Sequence, residues 1–351
     1  MSRPPQLLLA GILLSVFLTG CANKPTETPP AVQPANTPAA GKAQAGKKIT
    51  VCLLPKKKGI PYFTSCAKGA EEAAKELGNV NLIYDGPTDG SAEKSASLIE
   101  QWTLKGVDVI AVSPNDPEVL APAMTKAREK GVHLLTWDAD AKPDTREFLV
   151  NQATPKEIGY TLVDTMAKDL GGEGAQGEVA IITATVTAAN QNEWMKYMKE
   201  RLPKYPGLKL VATKPSNEDQ KLAFSVAQDL MKAYPNLKGL FAISSVAFPA
   251  AAEAVKQAGK AGKVLVTGLA TPNDMRAYVK DGTVKSVILW NTVDLGYLTV
   301  QTARAVVDGT LTKESKTLKA GRLGERRIEG DNVLLGNILV FTKENIDEYE
   351  F

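Results

Sequence analysis

Histidine is almost missing from this chain: His133 stands alone among 351 residues. Ser-His-Asp and Cys-His nucleophilic sites, and most zinc sites, depend on imidazole. His133 follows Gly131 at the amino end of the apolar run Val132 to Trp137, a place for a structural or solvent-facing side chain. Cysteine is scarce too, with three residues, Cys21, Cys52 and Cys66. Neither sign of charge dominates: 42 basic and 39 acidic residues are interspersed for a net charge of +3, which gives no basis for a nucleic-acid partner. The N-terminal apolar run, Leu7 to Leu18, is about a dozen residues and falls short of the roughly 20 needed to span a bilayer. There is no Gly-x-Ser-x-Gly elbow, no Walker lysine loop and no Gly-x-Gly-x-x-Gly opening a helix. The reading is a protein that is not an enzyme, with no catalytic residues, no metal and no cofactor.

What the chain does have is a strand that runs into an aromatic and two carboxylates, Leu134-Leu135-Thr136-Trp137-Asp138-Ala139-Asp140. In an open α/β sheet the carboxyl ends of parallel strands face the ligand crevice, which makes Asp138 and Asp140 candidates for contact with a small molecule. Strand and helix alternate on both sides of it. Strands are expected at 49–54, 80–84, 107–112, 132–137 and 148–152, with helices at 64–77, 92–105, 117–130 and 154–170. Gly171-Gly172-Glu173-Gly174 then interrupts, and a second alternation runs to residue 308, followed by an irregular strand-rich tail. Such repeats imply right-handed βαβ units and parallel sheets. The expected fold class is α/β, two doubly wound parallel-sheet lobes joined by a multi-strand hinge, with crossings near 150, near 270 and in the tail. The first lobe is expected to take 49–150 and about 271–325, the second 151–270 and about 326–351.

The first 21 residues read as a targeting segment: Arg3, the apolar core, then Leu18-Thr19-Gly20-Cys21. Leu-Thr-Gly-Cys after such a core resembles the lipobox of bacterial lipoproteins, which implies a lipidated Cys21 as the mature N-terminus. Residues 22–48 are rich in Pro and Ala and poor in large apolar side chains, the composition of a flexible tether. Cys52 and Cys66, in a strand and the helix after it, leave a disulfide and two free thiols equally open.

Two α/β lobes on a secreted, lipid-anchored chain resemble the type I periplasmic binding proteins that serve ABC importers of sugars. The resemblance covers nearly the whole mature chain. It sharpens at Leu54-Pro55-Lys56, Phe63-Thr64-Ser65, Tyr84-Asp85-Gly86-Pro87-Thr88, Leu135-Thr136-Trp137-Asp138, Asn151-Gln152-Ala153-Thr154-Pro155, Asn190-Gln191-Asn192-Glu193-Trp194 and Thr271-Pro272-Asn273-Asp274-Met275-Arg276. These look like the autoinducer-2-binding receptors of the Lsr type. Leu289-Trp290-Asn291 with Asp294-Leu295-Gly296-Tyr297 is similar to the related rhamnose-binding proteins. The resemblance implies a monomer in the periplasm or cell envelope, a small sugar or autoinducer-2-like polyol as ligand, an ABC permease as partner, and membrane attachment through the N-terminal lipid only. A ligand-sensing component of chemotaxis or quorum sensing is the alternative. Lys56, Asp138 and Gln191 match the family's hydroxyl-binding positions. Asn190 stands where the receptor has an aspartate, and Ile243 and Ser245 stand where it has proline and alanine.

The residues support such a ligand independently. A sugar presents hydroxyls that donate and accept beside a weakly apolar C–H face, which calls for Asp, Asn, Gln and Lys together with flat rings. Lys56 and Asp138 form a charge-complementary pair at strand ends. Tyr62 and Phe63 lie after Pro61 in the first strand-to-helix loop, at the cleft, Asn190 and Gln191 begin a helix, and Trp290 with Asn291 follows a late strand near a lobe crossing, placed to act as hinge and wall. Trp137 and Trp194 are further candidate stacking platforms.

Overall fold

The computed structural model describes residues 47–351. The expected leader, the expected lipidation site Cys21 and all but the last two residues of the expected tether lie outside the described residues. In chain order the elements are β1 (Ile49–Leu54), α1 (Pro61–Leu77), β2 (Val80–Tyr84), α2 (Ala92–Leu104), β3 (Val109–Val112), α3 (Pro117–Glu129), β4 (His133–Trp137), β5 (Phe148–Asn151) and α4 (Pro155–Asp169). They continue with β6 (Gly177–Thr183), α5 (Ala189–Arg201), β7 (Leu208–Pro215), α6 (Gln220–Ala233), β8 (Leu237–Ala242), α7 (Ala247–Gln257), β9 (Leu265–Gly268), α8 (Pro272–Lys280), β10 (Val287–Leu289) and α9 (Thr292–Val307). Four short strands close the chain: β11 (Thr317–Lys319), β12 (Glu325–Glu329), β13 (Asn332–Leu334) and β14 (Leu339–Phe341).

The strands form an eight-stranded sheet in the order β11-β12-β13-β5-β4-β3-β1-β2, a four-stranded sheet β7-β6-β8-β9, and the pair β10-β14. Within the large sheet β1 to β5 are mutually parallel, and β6 to β9 are parallel in the second. The α/β fold with two doubly wound lobes is therefore as the sequence indicates.

The helices begin where local chemistry dictates. Asp116 and Ser91 cap α3 and α2, Thr154 and Glu157 make a reciprocal capping box on α4, and proline occupies the first turn of α1, α3, α4 and α8. Pro61 starts α1 three residues before the expected start, which puts Tyr62 and Phe63 in its first turn and not in a loop.

The large sheet is covered on both faces. Val51 and Leu53 of β1 join the core that contains α1 residues, whereas Cys52 and Leu54 face the core around Ile99 and Trp102 of α2. This period-2 alternation decides the disulfide question: Cys66 of α1 belongs to the opposite face from Cys52, and both are free buried thiols.

The lobe crossings differ from the sequence reading in two of three places. The chain first passes from the large sheet to the second between β5 and β6. Segment 271–290 does not return to the first lobe: Leu269 bridges Ile288, and β10 pairs antiparallel with β14, so the return comes at Trp290-Asn291. The tail does not leave near 326 either. β12 and β13 extend the first sheet, with Val333 set against Val150, and the chain crosses back only after Leu334. The crossover points carry no composition signal, since short apolar strands serve equally in either sheet.

After the second crossing α9 packs on α1 with backbone almost touching backbone. A Cβ on Gly69 would lie 1.7 Å from the Val293 carbonyl oxygen, and one on Gly296 would lie 1.8 Å from that of Cys66. Gly69→Ala or Gly296→Ala should lower stability by about 1–3 kcal/mol through forced separation of the two helices. Thermal unfolding followed by circular dichroism checks this, and an unchanged midpoint in both variants would contradict the close packing.

Candidate functional site

Asp138 ends β4 in the left-handed conformation, φ +64°, which aspartate tolerates better than most residues. The kink turns its carboxylate into the space between the two large sheets. There it is held by three donors: the Tyr62 hydroxyl on Oδ1 at 2.7 Å, and the Ser113 hydroxyl at 2.8 Å and Lys56 Nζ at 3.1 Å on Oδ2. Asp138 is 6% exposed and the Lys56 side chain 12%. A buried ion pair offsets its desolvation only when further hydrogen bonds satisfy it, and the two hydroxyls provide them. Burial, followed by the neighbouring carboxylate, pushes the Tyr62 phenol well above its ordinary value, which keeps it a neutral donor.

The second sheet supplies the opposite wall. Lys56 Nζ donates to Asn190 Oδ1 at 3.2 Å, and the Asn190 amide reaches the Asp138 main-chain oxygen at 3.4 Å. Asn190 lies in the first turn of α5, and its Oδ1 also accepts the Gln191 main-chain N–H at 2.9 Å. Gln191 is buried, with Oε1 fixed by Thr183 Oγ1 at 2.5 Å and the Ala184 N–H at 2.8 Å. Its amide nitrogen has no protein acceptor among the described residues.

Aromatic rings join the two walls edge to face. Tyr62 meets Phe63 at 5.0 Å and Trp290 at 6.1 Å, Trp290 meets Trp194 at 6.0 Å, and Trp290 Nε1 donates to the Tyr62 hydroxyl at 2.9 Å. Three neighbouring strand ends of the second lobe contribute Ile243, Leu269 and Leu289, a continuous apolar surface. Together these groups surround one small cavity between the two sheets. Lys56, Phe63, Asp138, Asn190, Gln191, Ser245 and Trp290 all line this cavity.

Two expected site residues do not. The Asp140 carboxylate is bound by Arg146 Nε at 2.9 Å, the Thr136 hydroxyl at 2.7 Å and the Ala141 N–H at 2.9 Å, and Arg146 also pairs with Asp331. It fastens β4 to the tail strands. Asn291 caps α9, its Oδ1 accepting the Asp294 N–H at 3.1 Å. Trp137 is core as well, fully buried with Nε1 on the Ala111 carbonyl at 3.2 Å. His133 pairs with Glu147 at 3.0 Å, on the amino end of β4 away from the cavity. Ser113, Ser244 and Glu218 of the site were not anticipated as ligand-side groups, whereas Tyr62 was placed at the cleft beside Phe63. For Glu218 a signal existed: Pro215-Ser216-Asn217-Glu218-Asp219 ends a strand on the ligand edge of the second lobe.

A cavity walled by two parallel-sheet lobes, with an acceptor-rich end, aromatic rings and no group of three or more metal-ligating side chains among the described residues, defines a two-lobed small-molecule binding protein. The chain belongs to the periplasmic binding protein domain family, whose model matches residues 51–311. It is similar to the LsrB protein of Clostridium saccharobutylicum in complex with AI-2, at TM-score 0.81 and 27% identity, over 86% of this chain and 100% of that one. It is likewise similar to an ABC transporter solute-binding protein of Clostridium phytofermentas with bound L-rhamnose, at TM-score 0.81 and 28% identity, over 86% and 98%. Among curated proteins, the D-allose-binding periplasmic protein of Escherichia coli (strain K12) is 28% identical over 67% of this chain and 77% of its own length.

Asp138→Ala strips Tyr62 and Ser113 of their acceptor and leaves Lys56 an unpaired buried charge, and stability should fall by about 3–5 kcal/mol. Chemical denaturation checks it. A loss below about 1 kcal/mol would mean that the carboxylate is not the organising acceptor.

Proposed function

We propose that this chain is the recognition component of an ABC importer, taking a small polyhydroxy molecule with one apolar flank into the cleft between its lobes. The observation that carries the reading is the convergence of Lys56 and Asp138 from one sheet with Asn190 and Gln191 from the other on one cavity. Charge-assisted donors and acceptors suit vicinal hydroxyls, and the Ile243, Leu269 and Leu289 surface suits C–H or methyl groups. A ligand bonded to both walls favours the arrangement in which they meet, and that closed form is the one presented to the permease. AI-2, L-rhamnose and D-allose, bound by the relatives, set the range of candidates. Within it, Asn190, Ile243 and Ser245 shape the wall differently from the Lsr-type pattern. Cys21 carries the lipid that keeps the body at the membrane.

Thermal unfolding with L-rhamnose, D-allose, D-ribose and AI-2 tests the reading. A true ligand at about a hundredfold over its dissociation constant adds roughly 2.7 kcal/mol. The response should vanish in Asp138→Ala and survive in Asp140→Ala. No response of the unaltered protein to any member of the panel would exclude this ligand class. For the anchor, Cys21→Ser should move the protein from the membrane fraction to the soluble fraction of lysed cells, and retention in the membrane would count against lipidation.

A further inference from the structure

The β7–α6 turn places two successive non-glycine residues, Asn217 and Glu218, in the left-handed region, each at φ +51°. Asparagine tolerates that conformation; glutamate gains nothing from it locally. The turn is nonetheless tightly held, with the Ser216 N–H on the Thr183 carbonyl at 2.8 Å and the Asn217 N–H on that of Ala184 at 2.6 Å. Its effect is to aim the Glu218 side chain into the cavity wall, where Ser244 Oγ donates to Oε2 at 2.7 Å. Oε1 has no protein donor among the described residues. Across the cleft, Lys57 Nζ donates to the Glu218 main-chain oxygen at 2.9 Å, so the backbone of this residue is itself a contact between the lobes.

Asp138 is already occupied by three protein donors, whereas Glu218 lines the cavity with one carboxylate oxygen that has no protein donor among the described residues. We infer that Glu218 is the ligand's principal hydroxyl acceptor on the second lobe and makes affinity dependent on its ionisation. The inference rests on the sugar-binding reading above. A hydroxyl donates more strongly to an ionised carboxylate oxygen than to a neutral acid, and protonation at Oε1 puts a donor where the ligand hydroxyl needs an acceptor. Burial pushes the Glu218 carboxyl above the ordinary glutamate value; the Ser244 bond and the Lys56 and Lys57 charges pull it back, and Asp138 pushes it up again. Asp274 and Tyr278 of α8 face the same residue's other side across an adjoining groove that shares Ile60, Glu218 and Ser245 with the cavity. The sign follows: binding is strongest above the raised Glu218 value and weakens as pH falls through it.

Calorimetric titration of L-rhamnose, D-allose, D-ribose and AI-2 from about pH 7.5 to about pH 5 decides the matter. In the unaltered protein the dissociation constant of the binding member should rise on acidification. Glu218→Gln keeps the shape, should weaken binding about tenfold or more at the upper pH, and should leave a flat profile. Ser244→Ala removes the donor that favours the ionised form, and the midpoint of the profile should move to higher pH. His133→Gln, far from the cavity, should leave the profile in place. Binding that is insensitive to pH, or a pH dependence that persists in Glu218→Gln, overturns the inference alone. No heat with any of the four in the unaltered protein overturns the sugar reading and this inference with it.

Discussion

A single carboxylate holds the cleft together. Asp138 takes a left-handed backbone turn at the end of β4, and from that position gathers donors from two connections of the first lobe: Lys56 and Tyr62 where β1 passes into α1, and Ser113 after β3. None of these groups could be buried there alone at tolerable cost. Through Lys56 and Tyr62 the same carboxylate reaches the second lobe, because Lys56 also binds Asn190 and Tyr62 accepts from Trp290. One acceptor therefore organises the first lobe's binding face and its registry with the other lobe.

Much of this is written locally in the chain. The strand-helix alternation follows from apolar periodicity, proline at helix starts and glycine at helix ends, all short-range features. Lys56, Asp138, Gln191 and Trp290 are legible as cavity residues because the carboxyl ends of parallel strands, and the helix starts after them, always face the crevice. The errors share a cause. Asp140 looks the equal of Asp138 from two residues away, yet Arg146 and the distant Asp331 claim its neighbourhood. Asn291 looks like a ligand group until the start of α9 fixes it as a cap. The crossings at 290–291 and after 334 depend on which sheet a three-residue strand joins, and nothing within the strand specifies that.

The polarity of the cavity is divided. Hydrogen-bonding groups cluster around Lys56, Asp138, Asn190 and Glu218, while Ile243, Leu269 and Leu289 line up from adjacent strand ends. The polar cluster is largely satisfied within the protein, so a ligand must replace or extend bonds that already exist. Discrimination then arises from leaving a buried partner unpaired more than from adding contacts, a more stringent filter than apolar fit alone.

Trp194 and Trp290 are two of the chain's four tryptophans, and both border the cavity, whereas Trp102 and Trp137 are buried away from it. The indole N–H of Trp290 ends on a phenol that is in turn bonded to Asp138. The chain thus carries its own optical reporter: any molecule that settles between the lobes alters the surroundings of half its indoles, and occupancy is readable from intrinsic emission without a label.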